Sequence, residues 1–415
     1  MLRIAFLAIL GFSGAVEASV WNATNNWDAG WELKYSEWVK SEFNEDFYLN
    51  NPWGPLSTDC ADALYGARIA FSFENQLPFK LVSTGISNQT TKFDKYSDPV
   101  ARVKAFMRYV FDTTSTKMLP QDTYPVAIKR EDLIPGTLWT RNSQSSESFL
   151  IALFAGPNAA SGHSEMVKDV SPSGVIYLIG STVPSKVRSL IIGNSFVFAP
   201  NEDSKTGFRR WIWPQNIGHV TQSIGYSLEQ YSMGYQSPSN SDSDSNFGGA
   251  SQRGNISVSD FANEVQQKLA LQEESQEDYI KRATTEMCSL LHLRKEVISD
   301  AINYQKKHGH SCMNVEAYDN FSTPSRDKRL KQVLDDTFDL LFAVPFFVGA
   351  EEKVEKISSY SYLESCPALV TVDGQKTISA VQAMTQLAKG NWSSDPNESE
   401  LSRWGLAQVT GQCSK

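Results

Sequence analysis

Between Gln236 and Gly254 the chain runs through serine, asparagine, aspartate and glycine with hardly an apolar side chain. Such a stretch buries too little surface to order itself, so it reads as a linker or long loop separating what folds on either side. Its acidic residues lack the ligand spacing of a calcium loop. The pattern before it is mixed and the pattern after it is helical. This gives a linker at 236–255, an N-terminal unit over 19–235 and a helical C-terminal unit over 256–415.

Apolar residues at 64, 69, 71 and 73 predict a helix over 62–75, and the proline at 99 opens a second over 99–113. Short apolar runs bounded by turn residues follow, at 136–139, 149–153, 165–167, 175–179 and 190–192. The turn Ser171-Pro172-Ser173-Gly174 marks a hairpin. Helices followed by a mostly antiparallel sheet give an α+β class. Beyond the linker, Ser259 caps a predicted helix over 260–273. Longer helices are expected over 276–308 and from about 327 to 344. With 41% hydrophobic residues the chain can bury a sizeable core, and its net charge of −9 argues against nucleic-acid binding through phosphates.

The first 18 residues carry a basic Arg3, an apolar stretch over 4–10 and small residues offering cleavage after Ala15 or Ala18. They read as a secretory signal peptide, which places the mature protein outside the cytoplasm, secreted or periplasmic. No later segment has the roughly 18 uninterrupted apolar residues of a membrane span. Asn22, Asn88, Asn255, Asn320, Asn391 and Asn397 stand in glycosylation sequons, at a frequency expected from composition alone.

An exported chain with five cysteines leaves one thiol over. Cys288, Cys312, Cys366 and Cys413 lie in the last third, which nominates Cys60 as the odd one. Three pairings of the other four are open. The expectation adopted is Cys288–Cys312, near the ends of one helical hairpin, with Cys366–Cys413 bracketing the C-terminal segment. Cys60 stands where a turn enters a helix, and the positive end of a helix dipole favours a nucleophilic thiolate. Such a nucleophile needs a base, and His163, at a strand entrance after a Gly/Ala/Ser-rich turn, is the best placed of five histidines. His219 is held in reserve. The bland alternative is a buried apolar cysteine and a turn histidine. If the turn at 171–174 sets the register, His163 lies opposite Thr182. Ser181 and Thr182 are then the nearest candidates to orient the imidazole, with Glu165 an outside alternative.

Asp59-Cys60-Ala61-Asp62 resembles the Asp-Cys-Ser-Gly start of the catalytic helix in NlpC-type cell-wall peptidases. Asp132-Leu133-Ile134-Pro135-Gly136-Thr137-Leu138-Trp139 is similar to their Leu-x-Pro-Gly-Asp-Leu strand entry, with Thr137 where Asp is usual. Gly162-His163 resembles their Gly-His motif, and the three occur in the family's order. The resemblance covers about residues 50–185, with 81–130 as an insertion. It implies a papain-like core and a thiol hydrolase acting on an amide, typically within peptidoglycan stem peptides, with no cofactor and no metal. A more distant likeness to transglutaminase-like thiol enzymes rests on the same Cys–His order and on Gln76-Leu77-Pro78-Phe79.

The expected chemistry is attack by Cys60 on an amide carbonyl, with the Cys60 backbone N–H donating to the oxyanion and His163 shuttling the proton. Asp59, Trp139, Arg209 and Trp211 are candidate substrate contacts. The last two sit in Gly207-Phe208-Arg209-Arg210-Trp211-Ile212-Trp213-Pro214, which reads either as a groove wall or as a packed edge. The tryptophans at 21, 27, 31 and 38 read as core or as a glycan-facing wall. His308-Gly309-His310-Ser311-Cys312 does not fit zinc spacings. Two other readings stay open: a non-catalytic binding or structural module on the same fold, and a transglutaminase-like acyl transferase.

Overall fold

The computed structural model describes residues 19–141, 163–194, 200, 202, 205–233, 258–309, 312–342, 349–360, 363–411 and 413. The leader, the 149–153 run, Gly162 and the linker therefore lie outside the described residues.

Three helices build the first layer: α1 (Ala29–Ser41), α2 (Cys60–Glu74) and α3 (Pro99–Thr113), followed by the single-turn α4 (Leu119–Asp122). Each longer helix starts where an aspartate accepts an exposed N–H: Asp28 from Trp31, Asp59 from Ala61 and Asp62, Asp98 from Ala101. From Cys60 to Ser72 every residue of α2 is buried. Small residues make that burial possible: a Cβ on Gly66 would collide with the Tyr48 hydroxyl and the Phe111 ring.

The strands are β1 (Thr123–Pro125), β2 (Leu138–Arg141), β3 (His163–Val170), β4 (Ile176–Gly180), β5 (Ile191–Gly193) and β6 (Gly207–Trp211). They form one sheet in the order β1-β6-β2-β3-β4-β5, and every neighbouring pair is antiparallel. Successive strand residues point to opposite faces, and both faces are covered. Leu138, Met166 and Ile179 join the core built on α1–α3, whereas Trp139, Val167 and Leu178 join a second core. That is why these strands read as continuous apolar runs instead of alternating ones.

The second face is closed by α5 (Val258–Leu269), whose Phe261, Val265 and Leu269 enter the sheet's core although the helix follows the linker segment. The β3–β4 turn latches it, with the Leu271 N–H donating to the Pro172 carbonyl at 2.8 Å. Gly174 in that turn has φ 82°, and a Cβ there would strike the Gln266 carbonyl.

The remaining elements are α6 (Gln276–Lys307), α7 (Val315–Phe321), α8 (Pro324–Phe342), α9 (Ala350–Tyr360), the β7–β8 ribbon (Leu369–Val370 and Thr377–Ile378), α10 (Ala380–Ala388) and α11 (Glu400–Arg403). Their core includes Met287, Leu291, Ile298, Leu334, Val354, Met384 and Trp404. No described helix is long and apolar enough to cross a membrane.

Cys288 pairs with Cys366 and Cys312 with Cys413, at Cα separations of 5.5 and 5.6 Å. This corrects the expected pairing of Cys288 with Cys312. Cys288 lies within the long α6 and Cys312 beyond its end, so the helical rise of ~1.5 Å per residue carries the two far apart. Both bridges instead close long loops over the bundle. Asn88, one of the sequon residues, is buried, accepting from the Phe79 N–H at 3.0 Å and donating to the Trp21 carbonyl at 3.0 Å.

Candidate functional site

Cys60 is the first residue of α2 and only 4% exposed. Its position is fixed from both sides. Behind it, Asp59 and Asp62 form a reciprocal capping box: the Asp59 carboxylate accepts from the Ala61 and Asp62 N–H groups at 2.9 and 3.1 Å, and Asp62 accepts from the Asp59 N–H at 2.9 Å. In front, buried Thr58 pairs with Lys186 as an isolated bridge, and the Ser181 hydroxyl donates to the Thr58 carbonyl at 2.9 Å. The segment leaving β4 thus straps the turn that presents the thiol.

His163 opens β3, paired with Arg141 of β2. Its imidazole is hydrogen-bonded to Cys60. On the same strand, Glu165 brings Oε2 to 3.4 Å from His163 Nε2. A two-residue step returns a strand side chain to the same face, so His163 and Glu165 meet without any distant element. Gly180, on β4 beside Glu165, leaves room for this carboxylate, because a Cβ there would lie 3.1 Å from Glu165 Cγ.

Burial pulls the His163 imidazole down, but the Glu165 carboxylate and the Cys60 sulfur more than offset it, and the group is raised to about 10. Both neighbours therefore favour the charged form of the His163 ring. Burial, and then the neighbouring Asp59 charge, raise Asp62 to about 7. The Asp59 N–H and the Ser185 hydroxyl, 3.5 Å away, offset part of that rise.

The structure thus brings Cys60 and His163 together and sets the Glu165 carboxylate, not Ser181, beside the imidazole. Ser181, expected beside the imidazole, turns to the opposite face and serves the Thr58 carbonyl. Thr182 is half-buried and stands level with His163 if the register of Met166 with Ile179 is continued.

The expected substrate contacts are placed elsewhere. Asp59 is the helix cap. Trp139 is fully buried, stacked on Phe261 at 5.7 Å and against Phe208 at 4.5 Å. Arg209 donates to the Thr123 hydroxyl and carbonyl, both at 2.8 Å, and to the Pro120 carbonyl at 3.0 Å. Trp211 packs on Tyr65 at 5.2 Å. The 207–211 run is strand β6, between β1 and β2, and all five residues are buried. Its mixture of arginine and aromatic residues imitates an exposed groove because the guanidinium of Arg209 is satisfied by backbone carbonyls rather than by solvent.

Trp21 and Trp27 are core residues. His219 is exposed in a turn before Val220–Gln222. Cys312 is held in its disulfide with Cys413, and among the described residues no group of His, Cys, Asp and Glu side chains is arranged to hold a metal ion.

Sequence reasoning undervalued Glu165, although the i, i+2 spacing with His163 was available as a signal. It missed the 181–188 strap entirely, since an irregular segment leaves no periodic trace. No family model, curated protein or solved structure matches this chain.

Proposed function

We propose that this chain is a thiol hydrolase with a papain-like, NlpC-type core that cleaves amide bonds, with peptidoglycan stem peptides as the substrate class. The observation that carries the reading is the pairing of Cys60, at a helix N-terminus, with His163, whose Nε2 lies 3.4 Å from a Glu165 carboxylate oxygen. A carboxylate that holds an imidazole in one orientation and favours its charged form is the third member such a dyad needs. Its presence favours catalysis over a purely structural module.

In the proposed cycle the Cys60 sulfur, as thiolate, attacks the carbonyl carbon. The C–N bond breaks as the His163 imidazolium gives its proton to the leaving amine, leaving a thioester and a neutral imidazole. Water then attacks the thioester and passes a proton to His163, which releases the carboxylic acid and restores the ion pair. Glu165 stabilises the imidazolium at both ends of the cycle. The choice of stem peptides rests on the three motifs around Cys60, Pro135-Gly136 and His163. Two disulfides support a secreted or periplasmic location.

Digestion of purified sacculi and of synthetic stem peptides, read by mass spectrometry, tests the reading. New amine and carboxyl ends that vanish in Cys60→Ala are expected. Incorporation of an added primary amine in place of hydrolysis would move the assignment to acyl transfer, and no turnover of either kind would remove it.

A further inference from the structure

The C-terminal bundle contains a polar cluster that the proposed chemistry does not use. Arg294 on α6 and Arg403 on α11 have no exposed surface. Arg294 spends Nε and Nη2 on Asp327, at 2.6 and 3.1 Å, while its guanidinium lies 3.9 Å from the Trp392 ring. Arg403 uses only Nη2, donating to the Phe321 carbonyl at 2.9 Å and the Thr323 hydroxyl at 3.4 Å. Arg294 Nη1, Arg403 Nε and Nη1, and the Trp392 indole N–H are all shielded from solvent without an acceptor among the described residues.

The charges felt at Arg403 are mixed, Arg294 and Arg326 against Asp327 and Asp395. Asp327 is already engaged by Arg294, by Thr323 at 3.0 Å and by Ser394 at 2.7 Å. Arg326 adds a third positive charge felt at Arg403, and Asp395 offsets only part of it. Glu400, three residues before Arg403, accepts from the Val372 N–H at 2.9 Å through Oε2, and its Oε1 is buried without a donor among the described residues. A buried guanidinium without a counter-charge is strongly unfavourable. Four orphaned donor nitrogens on two arginines and a tryptophan point to one kind of ligand.

We propose that Arg294, Arg403 and Trp392 form a binding site for a small inorganic anion, chloride or phosphate, inside the C-terminal bundle. The electrostatics agree with the geometry. Burial and then the charge of Arg294 lower Arg403 to about 9, against partial support from Asp327 and Asp395. A guanidinium ordinarily keeps its proton at every accessible pH, and this lowering follows first from burial and then from the neighbouring positive charge. An anion among the orphaned donors neutralises it, completes their hydrogen bonds and joins α6 to α11.

The full chain is transferred into sodium gluconate, whose anion is too bulky for an enclosed site. Tm is then followed as chloride or phosphate replaces gluconate at constant ionic strength. A saturable rise of about 4 °C or more with one of the two is expected, because a ligand of the folded state alone stabilises by mass action. The arm that responds identifies the anion. Arg403→Met, which removes the charge and keeps the volume, should lose the rise. A Tm that does not saturate with either anion, or an undiminished rise in Arg403→Met, overturns the site. Should Arg403→Met fail to fold, wild-type crystals soaked in bromide or arsenate decide. An anomalous peak within hydrogen-bonding reach of Arg403 Nε or Nη1 supports the site, and none from either soak overturns it.

Discussion

The sheet unit and the C-terminal bundle both bury arginines: the sheet unit leaves single donors over, the Nε of Arg188 and of Arg210, whereas in the bundle Arg403 alone leaves two. In the sheet unit Arg68 forms a two-pronged pair with Glu32 at 3.2 and 3.0 Å, and Trp213 donates to the same carboxylate at 2.8 Å. Arg209 is equally occupied, by the backbone carbonyls of Pro120 and Thr123. In the bundle Arg403 keeps two donors without partners. Arg68 and Arg209 are each held in one arrangement by these bonds, although Glu165 Oε2 in the same unit is buried without a hydrogen-bond partner among the described residues.

The largest expected effect is on the chemistry of the sheet unit. Cys60→Ala should lower kcat/KM by about 10⁴-fold or more while Tm stays close to wild type, since loss of a nucleophile removes the covalent route altogether. Residual activity near wild type would separate the site from the fold that carries it.

Glu165→Gln should be the next largest, lowering kcat/KM by roughly 10²-fold. Its pH profile is the sharper readout. Glu165 favours the charged imidazole, so its loss lowers His163 from about 10 and brings the alkaline limb of activity to lower pH. The stability consequence has a fixed sign. A histidine raised on folding contributes stability that is full below about pH 6.5 and is lost as pH rises toward 10. Denaturant melts of wild type should show that decline, and melts of Glu165→Gln should show less of it.

The comparison of arginines itself can be broken by two substitutions of one kind. Arg68→Met leaves Glu32 buried without its partner and should cost about 3–5 kcal/mol in urea unfolding. Arg403→Met in gluconate removes a buried charge that Asp327 and Asp395 offset only in part, and should leave stability unchanged or raised. Equal losses would erase the distinction between the two regions.

The smallest effect concerns Asp62. Its carboxyl is raised to about 7 on folding, so the folded state holds a proton that the unfolded chain releases near pH 4. Its contribution therefore falls as pH rises from about 4 through 7. Asp62→Asn keeps an acceptor for the Asp59 N–H and should flatten that slope, leaving the variant at least as stable as wild type at pH 8. A variant clearly weaker at pH 8 would show that the carboxylate charge itself stabilises the turn.

Much of the fold was legible wherever a local pattern carried it. The helix over Pro99–Thr113 lies where its proline and apolar spacing placed it, and the α2 and α6 helices differ from expectation by a residue or two at their ends. The hairpin at 171–174 joins the strands expected of it. What escaped depended on distant partners. Strand β1 is three residues long, and β6 was hidden by arginines whose partners lie far away in sequence. The disulfides follow the bundle's packing instead of proximity along the chain. At the site, Cys60 and His163 were readable from their turn contexts. Glu165 was readable too, from its i, i+2 spacing on the strand that His163 opens, whereas the strap at Ser181 and Lys186 needed the third dimension.

The central claim is that His163 activates Cys60. The direct measurement is the rate of iodoacetamide alkylation at pH 6, resolved to Cys60 by peptide mapping, in wild type and in His163→Ala. The account predicts labelling at least ten-fold faster than free cysteine in wild type, and loss of that advantage in His163→Ala. Labelling no faster than free cysteine, and unchanged by His163→Ala, would contradict it.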